Sequence, residues 1–451
     1  MGTTQTNYSF ISKFKAHVNS SMVLIFFTVL ALFCANVPDI KDWYFSLWQH
    51  TVSLSIGNFN FFSHNGQTMT VMQVINDFLM AIFFFSVGLE IKREILIGEL
   101  STREKAMLPI IGACGGMIVP VLVFMLLCPA DPAMQRGIAI PMATDIAFSL
   151  GVLSVFSKRV PVGLKVFLAA LAVADDLGGI IVIALFYSSD IHVSYIILSA
   201  LCVMAMVIAN TLKVRAKSFY VCVGLILWYT MLNSGIHATI AGVITAFCVP
   251  ASLKKGTGHY LERIRENINI FPVINVDDRH KTVVLTHSQI HVLKSIESAA
   301  DKMISPLQDL EDNMHFLIGY IIIPLFAFAN AGIDLSQMSV GSLFSGVGLS
   351  AMLGLVIGKF IGVFTFSWAA VKAKIVKLPE GTTWKAFASV CVICGIGFTV
   401  SMFIADLSYA GAGESAVLLL NQAKLGVLCG SVIAALMGCM LLNITLPKEN
   451  K

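Results

Sequence analysis

Two adjacent carboxylates, Asp175 and Asp176, lie deep inside an apolar stretch of the chain, LAVADDLGGIIVIALF. Placing an ionised side chain at the centre of a membrane helix costs roughly 2.5–3.5 kcal/mol on insertion scales. Two carboxylates in a low-dielectric interior cannot both stay charged and unpaired, so one or both must bind protons or cations. Adjacent helical residues point about 100° apart, so both can border one cavity. We therefore predict a site at which Na⁺ and H⁺ compete; the alternative is a pair held by helix-end donors or buried ion pairs.

Two lysines also fall within apolar stretches. Lys359, in GLVIGKFIGVF, is flanked by apolar residues for several turns, so its ammonium is poorly placed to reach a membrane surface. It is expected to offset helix C-terminal carbonyls or to pair with a carboxylate of the Asp175 and Asp176 site. Lys424 lies nearer the outer end of its stretch, and we expect its side chain to extend to the water interface.

Two further stretches carry the signals of interrupted helices. In AIPMATDIAFSLG, Pro141 removes a backbone donor and Thr144 with Asp145 forms an N-cap pair, so the helix should break there. Asp145 would offset the positive helix end that the break exposes, and whether it also contacts an ion stays open. In CVICGIGFTVSMFIA, Gly395 and Gly397 predict a second interruption, which a membrane tolerates only beside a cavity.

The composition is that of a membrane protein. Of the 451 residues, 57% are apolar and only 12% are charged, whereas a typical soluble domain is about 25% charged. This excludes both a water-soluble globule and a disordered chain. A net charge of +4 is too small an excess to suggest nucleic acid as a partner. We predict an all-α polytopic membrane protein.

Twelve apolar stretches are candidates for membrane spans. Their approximate cores are 21–37, 72–91, 106–128, 137–157, 162–187, 193–212, 218–233, 236–250, 313–333, 344–371, 386–409 and 416–445. Nearly all Lys and Arg lie in one alternating set of connecting segments, which predicts that this set and both termini are cytoplasmic. The two interruptions fall in the middle spans of two three-span blocks, 106–187 and 344–445. That arrangement is typical of inverted repeats with a site near the membrane midplane.

One external segment alternates apolar and polar residues. Residues 51–62 (TVSLSIGNFNFF) show this period around Gly57 and Asn58, which predicts a β-hairpin with a tight turn. A lone hairpin is marginal in water, so it should pair with another copy of the chain or form an ordered cap on its own chain.

One internal segment, 251–312, is too long for an ordinary connection. Its apolar residues from Ile290 to Leu310 have the spacing of an amphipathic helix. The predicted organisation is a cytoplasmic N-terminus 1–20, spans 1–8 over 21–250, the long loop 251–312, spans 9–12 over 313–445, and a cytoplasmic C-terminus 446–451.

Nine stretches follow a known family pattern, in order, over nearly the whole chain. They are INDFLMAIFFFSVGLEIKRE, GGMIVP, AIPMATDIAFSLGVL, SKRVPVGLKVFLAALAVADDLGGIIVIALFY, SGIHATIAGV, IIIPLFAFANAGI, IGKFIG, LPEGTTW and CGIGFTVSMFIA. In these stretches the sequence resembles the NhaA family of sodium/proton antiporters, which is built on inverted repeats. The long insertion at 254–300 departs from the family pattern and adds charge beside the segment that starts at Leu310.

The resemblance implies roles for the buried charges. Asp175 and Asp176 would carry the exchanged ions, with Asp176 the firmer sodium ligand and Lys359 either paired with Asp175 or binding the competing proton. Thr144 and Asp145 would serve the crossed, unwound helices, and the outer hairpin would be the dimer contact. Regulation by pH would map to a charged cytoplasmic funnel and one further histidine: Glu90, Arg93, Glu94, Glu311, Asp312, His315 and His237. The alternative for these residues is a solvated cluster at helix ends.

These observations predict an electrogenic, pH-regulated antiporter of a bacterial inner membrane. It would extrude Na⁺, and also Li⁺, in exchange for external protons by alternating access, as a homodimer and without a cofactor. One rival function is an intramembrane aspartyl protease, which needs two Asp facing each other from separate helices, unlike the adjacent Asp175 and Asp176. Another is a sodium-coupled symporter for an organic solute, which the lack of an Arg or aromatic cluster at mid-membrane weakly disfavours.

Overall fold

Helices make up most of the chain that the computed structural model describes, which comprises residues 20–57, 59–64, 66–156, 159–186, 192–252, 257–271, 285–337, 346–409 and 416–446. The predicted termini 1–20 and 446–451 lie almost wholly outside these ranges. The helices in chain order are α1 Ser20–Asn36, α2 Pro38–Gln49, α3 Val71–Leu96, α4 Arg103–Leu127, α5 Pro132–Met142, α6 Ile146–Ser154, α7 Val162–Phe186, α8 Val193–Thr211, α9 Lys217–Leu232, α10 Ile240–Cys248, α11 Thr257–Ile270, α12 His287–Met303, α13 Pro306–Asn330, α14 Gly346–Lys372, α15 Trp384–Ile393, α16 Phe398–Tyr409 and α17 Ala416–Thr445.

Seven of these helices are long and apolar enough to cross a membrane by themselves, and up to ten spans result if each of three bent pairs counts as one. The predicted spans 218–233 and 236–250 correspond to α9, with 16 residues, and α10, with 9 residues. At 1.5 Å per residue, α10 covers about 14 Å, less than half of the roughly 30 Å hydrocarbon core. The described chain is therefore a multi-span helical membrane protein, and the count of twelve stays a prediction.

A β-hairpin precedes α3, as predicted for residues 51–62. Strand β1, Ser55–Ile56, pairs antiparallel with β2, Phe59–Asn60, around Gly57, whose φ of +61° suits a tight turn. The second predicted turn residue, Asn58, lies outside the described residues. A second hairpin follows, in which β3, Ser63–His64, pairs with β4, Gln67–Thr68. Sequence analysis missed it because residues 63–68 (SHNGQT) are all polar or glycine and so show no alternation of apolar and polar residues.

The long loop contains two helices before the next span instead of one continuous amphipathic helix. Helix α11 packs against α12, and α12 ends at Met303. Helix α13 starts at Pro306, where Ser305 accepts a hydrogen bond from the Gln308 amide at 3.2 Å. The predicted helix from Ile290 to Leu310 was therefore wrong in extent, because Pro306 has no amide proton for a helix that would continue through it.

The helices pack as two groups. The first helix group comprises α4, α5, α6, α7, α14, α15, α16 and α17, and the second comprises α1, α2, α3, α8, α9, α10 and α13. Within the first group, Gly115 of α4 and Gly362 of α14 bring their backbones so close that a Cβ on either would collide with the other's carbonyl oxygen. This approach carries Lys359 of α14 into the interior.

The two ends of the bundle differ. At one end Asn233, after α9, approaches the Ser63 carbonyl of the hairpin segment. At the other end Arg215, before α9, donates to the carbonyls of Lys302 and Ile304 within the long loop. We call these ends the hairpin face and the loop face.

Candidate ion-binding site

Two pairs of short helices meet at their breaks in the middle of the first group. Helices α5 and α6 are bent by 43° relative to each other, and so are α15 and α16. The Asp145 amide donates to the Ile396 carbonyl at 2.7 Å, which joins the two breaks directly. The two interruptions predicted from Pro141 and from Gly395 and Gly397 are therefore present, and they contact each other.

Asp145 caps both helices that leave the crossing. Its Oδ1 accepts from the Phe148 amide of α6 at 2.9 Å, and its Oδ2 accepts from the Thr399 amide of α16 at 3.1 Å. The Thr399 hydroxyl also donates to Oδ2, at 2.5 Å. Helix N-termini carry unpaired N–H groups and a partial positive charge, so one buried carboxylate here satisfies two of them. The capping role foreseen for Asp145 is thus doubled.

Asp175 of α7 is held in an ion pair. Its Oδ2 lies 2.7 Å from the Lys359 ammonium, and neither side chain is exposed. The Thr144 hydroxyl lies 2.8 Å from the same oxygen and 2.9 Å from the Cys394 carbonyl. Lys359, directly after a π-helical turn at Gly354–Gly358, also donates to the Met142 carbonyl. Of the two partners foreseen for Lys359, helix-end carbonyls and a carboxylate, the structure contains both.

Asp176, the next residue, is in a different environment although it is equally buried. Among the residues that the structure describes, neither of its carboxylate oxygens has a hydrogen-bond partner. A pair held entirely by helix-end donors or buried ion pairs therefore describes Asp175 but not Asp176. Unpaired buried carboxylate oxygens are costly, and this cost favours binding of a proton or a cation.

A cavity of about 610 Å³ joins Asp176 to charged side chains of α3 and α13. Its lining includes Asp145 and Thr399 near the crossing, and it continues past Glu90, Arg93, Glu311, Asp312 and His315. Arg93 is paired with Glu311 at 3.1 Å and with Glu94 at 2.8 Å. Because the α13 residues belong to its first turns, the cavity leads toward the loop face. Five of the seven residues assigned to pH regulation therefore line the cavity, and a sixth, Glu94, is linked to it through Arg93.

His237 lies elsewhere. It follows α9 near the hairpin face, where its ring packs edge-on against Phe403 at 6.0 Å, and it is not among the residues lining the cavity. A role of His237 would consequently have to act from the side opposite to the funnel.

Lys424 does not extend to a water interface, so this prediction was wrong. Its ammonium is buried and lies 2.9 Å from Asp406 of α16 and 3.3 Å from the Asn330 amide oxygen of α13. Asp406 was missed by the sequence analysis, although a carboxylate inside the apolar stretch 386–409 was a signal that could have found it. An internal partner compensates the charge, so the lysine needs no solvent.

A bundle of apolar spans with two interrupted helices crossing beside buried carboxylates, one of them open to a cavity, defines a membrane ion transporter. The family model described as Na⁺/H⁺ antiporter 1 matches residues 12–442. The chain is 53% identical to the Na⁺/H⁺ antiporter NhaA of Phocaeicola vulgatus over 98% of its own length and 97% of that protein. It is 48% identical to the NhaA of Bacteroides thetaiotaomicron, over 96% and 97% of the two chains. The chain belongs to the NhaA family and is a sodium/proton antiporter.

Proposed function

We propose that Na⁺ and H⁺ are exchanged by competition at Asp175 and Asp176, electrogenically and by alternating access. The observation that carries this proposal is the asymmetry of the two carboxylates. Asp175 is neutralised by Lys359 at 2.7 Å, whereas Asp176 has no hydrogen-bond partner among the described residues and borders the cavity. Asp176 is thus available to a cation, while Asp175 is held by the Lys359 ammonium, which can itself release a proton.

The cycle follows from this arrangement. With the loop face in the cytoplasm, Na⁺ enters the cavity, reaches the Asp176 oxygens and displaces protons from the site. After rearrangement to the other side, external protons displace Na⁺. Two carboxylates and Lys359 together can exchange more protons than sodium ions per cycle, so the membrane potential contributes to the driving force.

Lys359 and Asp175 are proposed to respond to the bound cation. A cation at Asp176 adds positive charge beside the Lys359 ammonium, and a proton can leave the lysine as the cation binds. Whether the lysine proton is transported or only compensates Asp175 decides how many protons move per sodium ion. Thr144 and Asp145 are proposed to hold the crossing in place by the contacts described above.

We propose that the funnel residues Glu90, Arg93, Glu94, Glu311, Asp312 and His315 set the pH response, with His237 acting from the opposite side. Deprotonation of carboxyl groups along the cavity increases its negative charge and so the local concentration of Na⁺. Arg93 opposes this effect, since it pairs with Glu94 and Glu311.

The remaining expectations also stand as proposals. The chain is placed in a bacterial inner membrane with both termini in the cytoplasm, twelve spans, and inverted repeats at 106–187 and 344–445. Transport of Li⁺ and dimer formation through the 51–62 hairpin belong to the same proposal. Leu54 beside the hairpin turn is 58% exposed, which leaves an apolar side chain available to a second copy.

The test is a sodium-induced pH change in proteoliposomes, measured with and without an imposed membrane potential. The unmodified chain is expected to exchange faster when the potential is oriented to draw in the excess protons. Asp176→Asn is expected to abolish the signal. Asp131→Asn serves as the control, because Asp131 is an exposed helix cap at the start of α5 and Asn can replace it there. If Asp176→Asn exchanges at an unchanged rate, Asp176 is not the site at which Na⁺ and H⁺ compete.

A further inference from the structure

Four polar side chains form a cluster near the hairpin face that the exchange site does not use. Asp406 and Lys424 are ion-paired at 2.9 Å. The Asn330 amide oxygen accepts from Lys424 at 3.3 Å, and its amide nitrogen donates to the Asn76 oxygen at 2.9 Å. Asn76 closes the ring by donating to Asp406 at 3.4 Å. We refer to these four residues as the polar ring.

The polar ring joins the two helix groups. Asp406 on α16 and Lys424 on α17 belong to the first group, whereas Asn76 on α3 and Asn330 on α13 belong to the second. The ion pair therefore lies within one group, and within the polar ring every contact between the groups involves the amide side chain of Asn76 or Asn330.

Packed aromatic side chains lie between the polar ring and the crossing. Phe403 is one helical turn before Asp406, and Phe326 is one turn before Asn330. Both are buried, with their ring centroids 6.3 Å apart, and Phe84 of α3 packs against Phe403 at 5.8 Å. The exchange site thus opens to the loop face through the cavity. The polar ring and the three phenylalanines lie between the exchange site and the hairpin face.

We propose that the polar ring is the latch of a gate on the hairpin face, which opens when the site faces that side. The proposal rests on alternating access in the proposed function and names the residues that hold one of its two states. When the groups separate, the only hydrogen bonds of the polar ring that break are those of Asn76 and Asn330 to the ion pair. Asp406 and Lys424 move together with the first group, so neither charge is left unpaired, which would be the costly outcome in a membrane.

A reversible crosslink tests whether the ring must open. The variant carries Asn76→Cys and Asp406→Cys, together with Lys424→Met so that no lysine is left without its partner. Oxidation to the disulfide is expected to reduce sodium/proton exchange at least about tenfold, and reduction is expected to restore it, because a covalent bond fixes one state. If the completely crosslinked protein exchanges as fast as the same variant with its disulfide reduced, the proposal is overturned.

A matched crosslink controls for rigidity near the same face. Lys41 and Asp334 also form a Lys–Asp ion pair, at 2.6 Å. Lys41 lies on α2 and Asp334 follows α13, and both of these helices belong to the second group. Oxidised Lys41→Cys/Asp334→Cys is expected to exchange as fast as its reduced form, and so is the oxidised parent chain with its ten native cysteines. If this control is also blocked, the loss in the first pair reflects general rigidity and the latch is refuted.

Single amide variants weaken the closed polar ring, whereas the crosslink fixes it, and they leave the Asp406–Lys424 ion pair intact. Asn330→Ala and Asn76→Ala weaken the state open to the loop face, so the KM for Na⁺ from that face is expected to rise about five- to tenfold, a typical coupling between two states. The KM from the hairpin face is expected to fall. Equal changes on both sides contradict a gate. The proposed function is tested separately, by the parent chain and Asp176→Asn, so its failure is distinguishable from failure of the latch.

Discussion

Asp175 and Lys359 form a fully buried ion pair of 2.7 Å, one residue away from a carboxylate that has no hydrogen-bond partner among the described residues. Asp175 and Asp176 are chemically identical neighbours on α7, but their different contacts give them different roles. Asp175 is tied to α14 and, through Thr144, to the helix break before α6. Asp176 borders the cavity, and its two buried oxygens accept no hydrogen bond from the described residues.

Asp176→Asn is expected to lower the apparent affinity for Na⁺ by at least about a hundredfold, because removing one partner of a buried charge interaction costs about 3–5 kcal/mol and each tenfold is about 1.4 kcal/mol. The fold should survive, since no described contact of the Asp176 carboxylate is lost. Isothermal titration calorimetry with Na⁺ measures the loss of affinity, and thermal unfolding in detergent checks that the fold is preserved. Tight binding of Na⁺ by the variant would show that the cation is held elsewhere.

The ion pair should behave as a unit in stability. Lys359→Met and Asp175→Asn are each expected to destabilise the protein by about 3–5 kcal/mol, because each leaves a buried group without its partner. The double variant is expected to recover most of that loss. The midpoints of thermal unfolding for the four proteins form a double-mutant cycle. Additive losses would mean that the two groups are not coupled.

Asp145 should act mainly as a double cap. Asp145→Ala loses the contacts to both helix ends, at about 1 kcal/mol for each cap. Asp145→Asn is expected to lose about half as much stability, since an amide offers one oxygen. Thr399→Val is expected to lose only the contribution of the hydroxyl contact. Thermal unfolding checks this order. Because both oxygens are already engaged, Asp145→Asn should raise the KM for Na⁺ less than Asp176→Asn does; an equal rise would make Asp145 a direct ligand.

The tip of the first hairpin can be separated from its base. Phe61 and Phe62 pack on Trp228 and Phe78 of the same chain, at 5.4 and 5.6 Å. Replacing residues 55–60 by Asn-Gly keeps these anchors and a tight turn. The expected product is a monomer with an undiminished rate of exchange, measured by native mass spectrometry and flux. The control, Phe61→Ala with Phe62→Ala, should instead lower thermal stability. A shortened chain that remains dimeric would place the dimer contact outside the tip.

The insertion should be dispensable for transport. Among the residues that the structure describes, none that lines the cavity falls within 254–300, and the carbonyls of Lys302 and Ile304 that Arg215 binds lie outside this segment. Deleting 254–300 should therefore preserve the maximal rate. The segment carries seven Lys or Arg and five Asp or Glu, and screening over about 8 Å in physiological salt limits its effect. We expect the pH profile of flux to move by less than about half a unit. Loss of exchange in a folded deletion variant would contradict this.

What the sequence determined by itself are the properties that depend on neighbours along the chain. Apolar length predicted a helical protein with many membrane spans, Pro141 and the two glycines predicted the helix breaks, and the cost of buried charge singled out Asp175, Asp176 and Lys359. Each of these signals is local, so it is complete within one stretch of sequence.

The tertiary structure decided which charge meets which. Lys424 was predicted to be interfacial because it lies nearer the outer end of its own stretch. Its partner Asp406 comes from the preceding helix, and the ring is closed by a contact between residues 330 positions apart. The same holds for Asp175, which differs from Asp176 through its contacts with Lys359 of α14, a helix that packs on α4, and with Thr144. Partner choice in a membrane interior depends on which helices pack together, and local sequence patterns do not encode that packing.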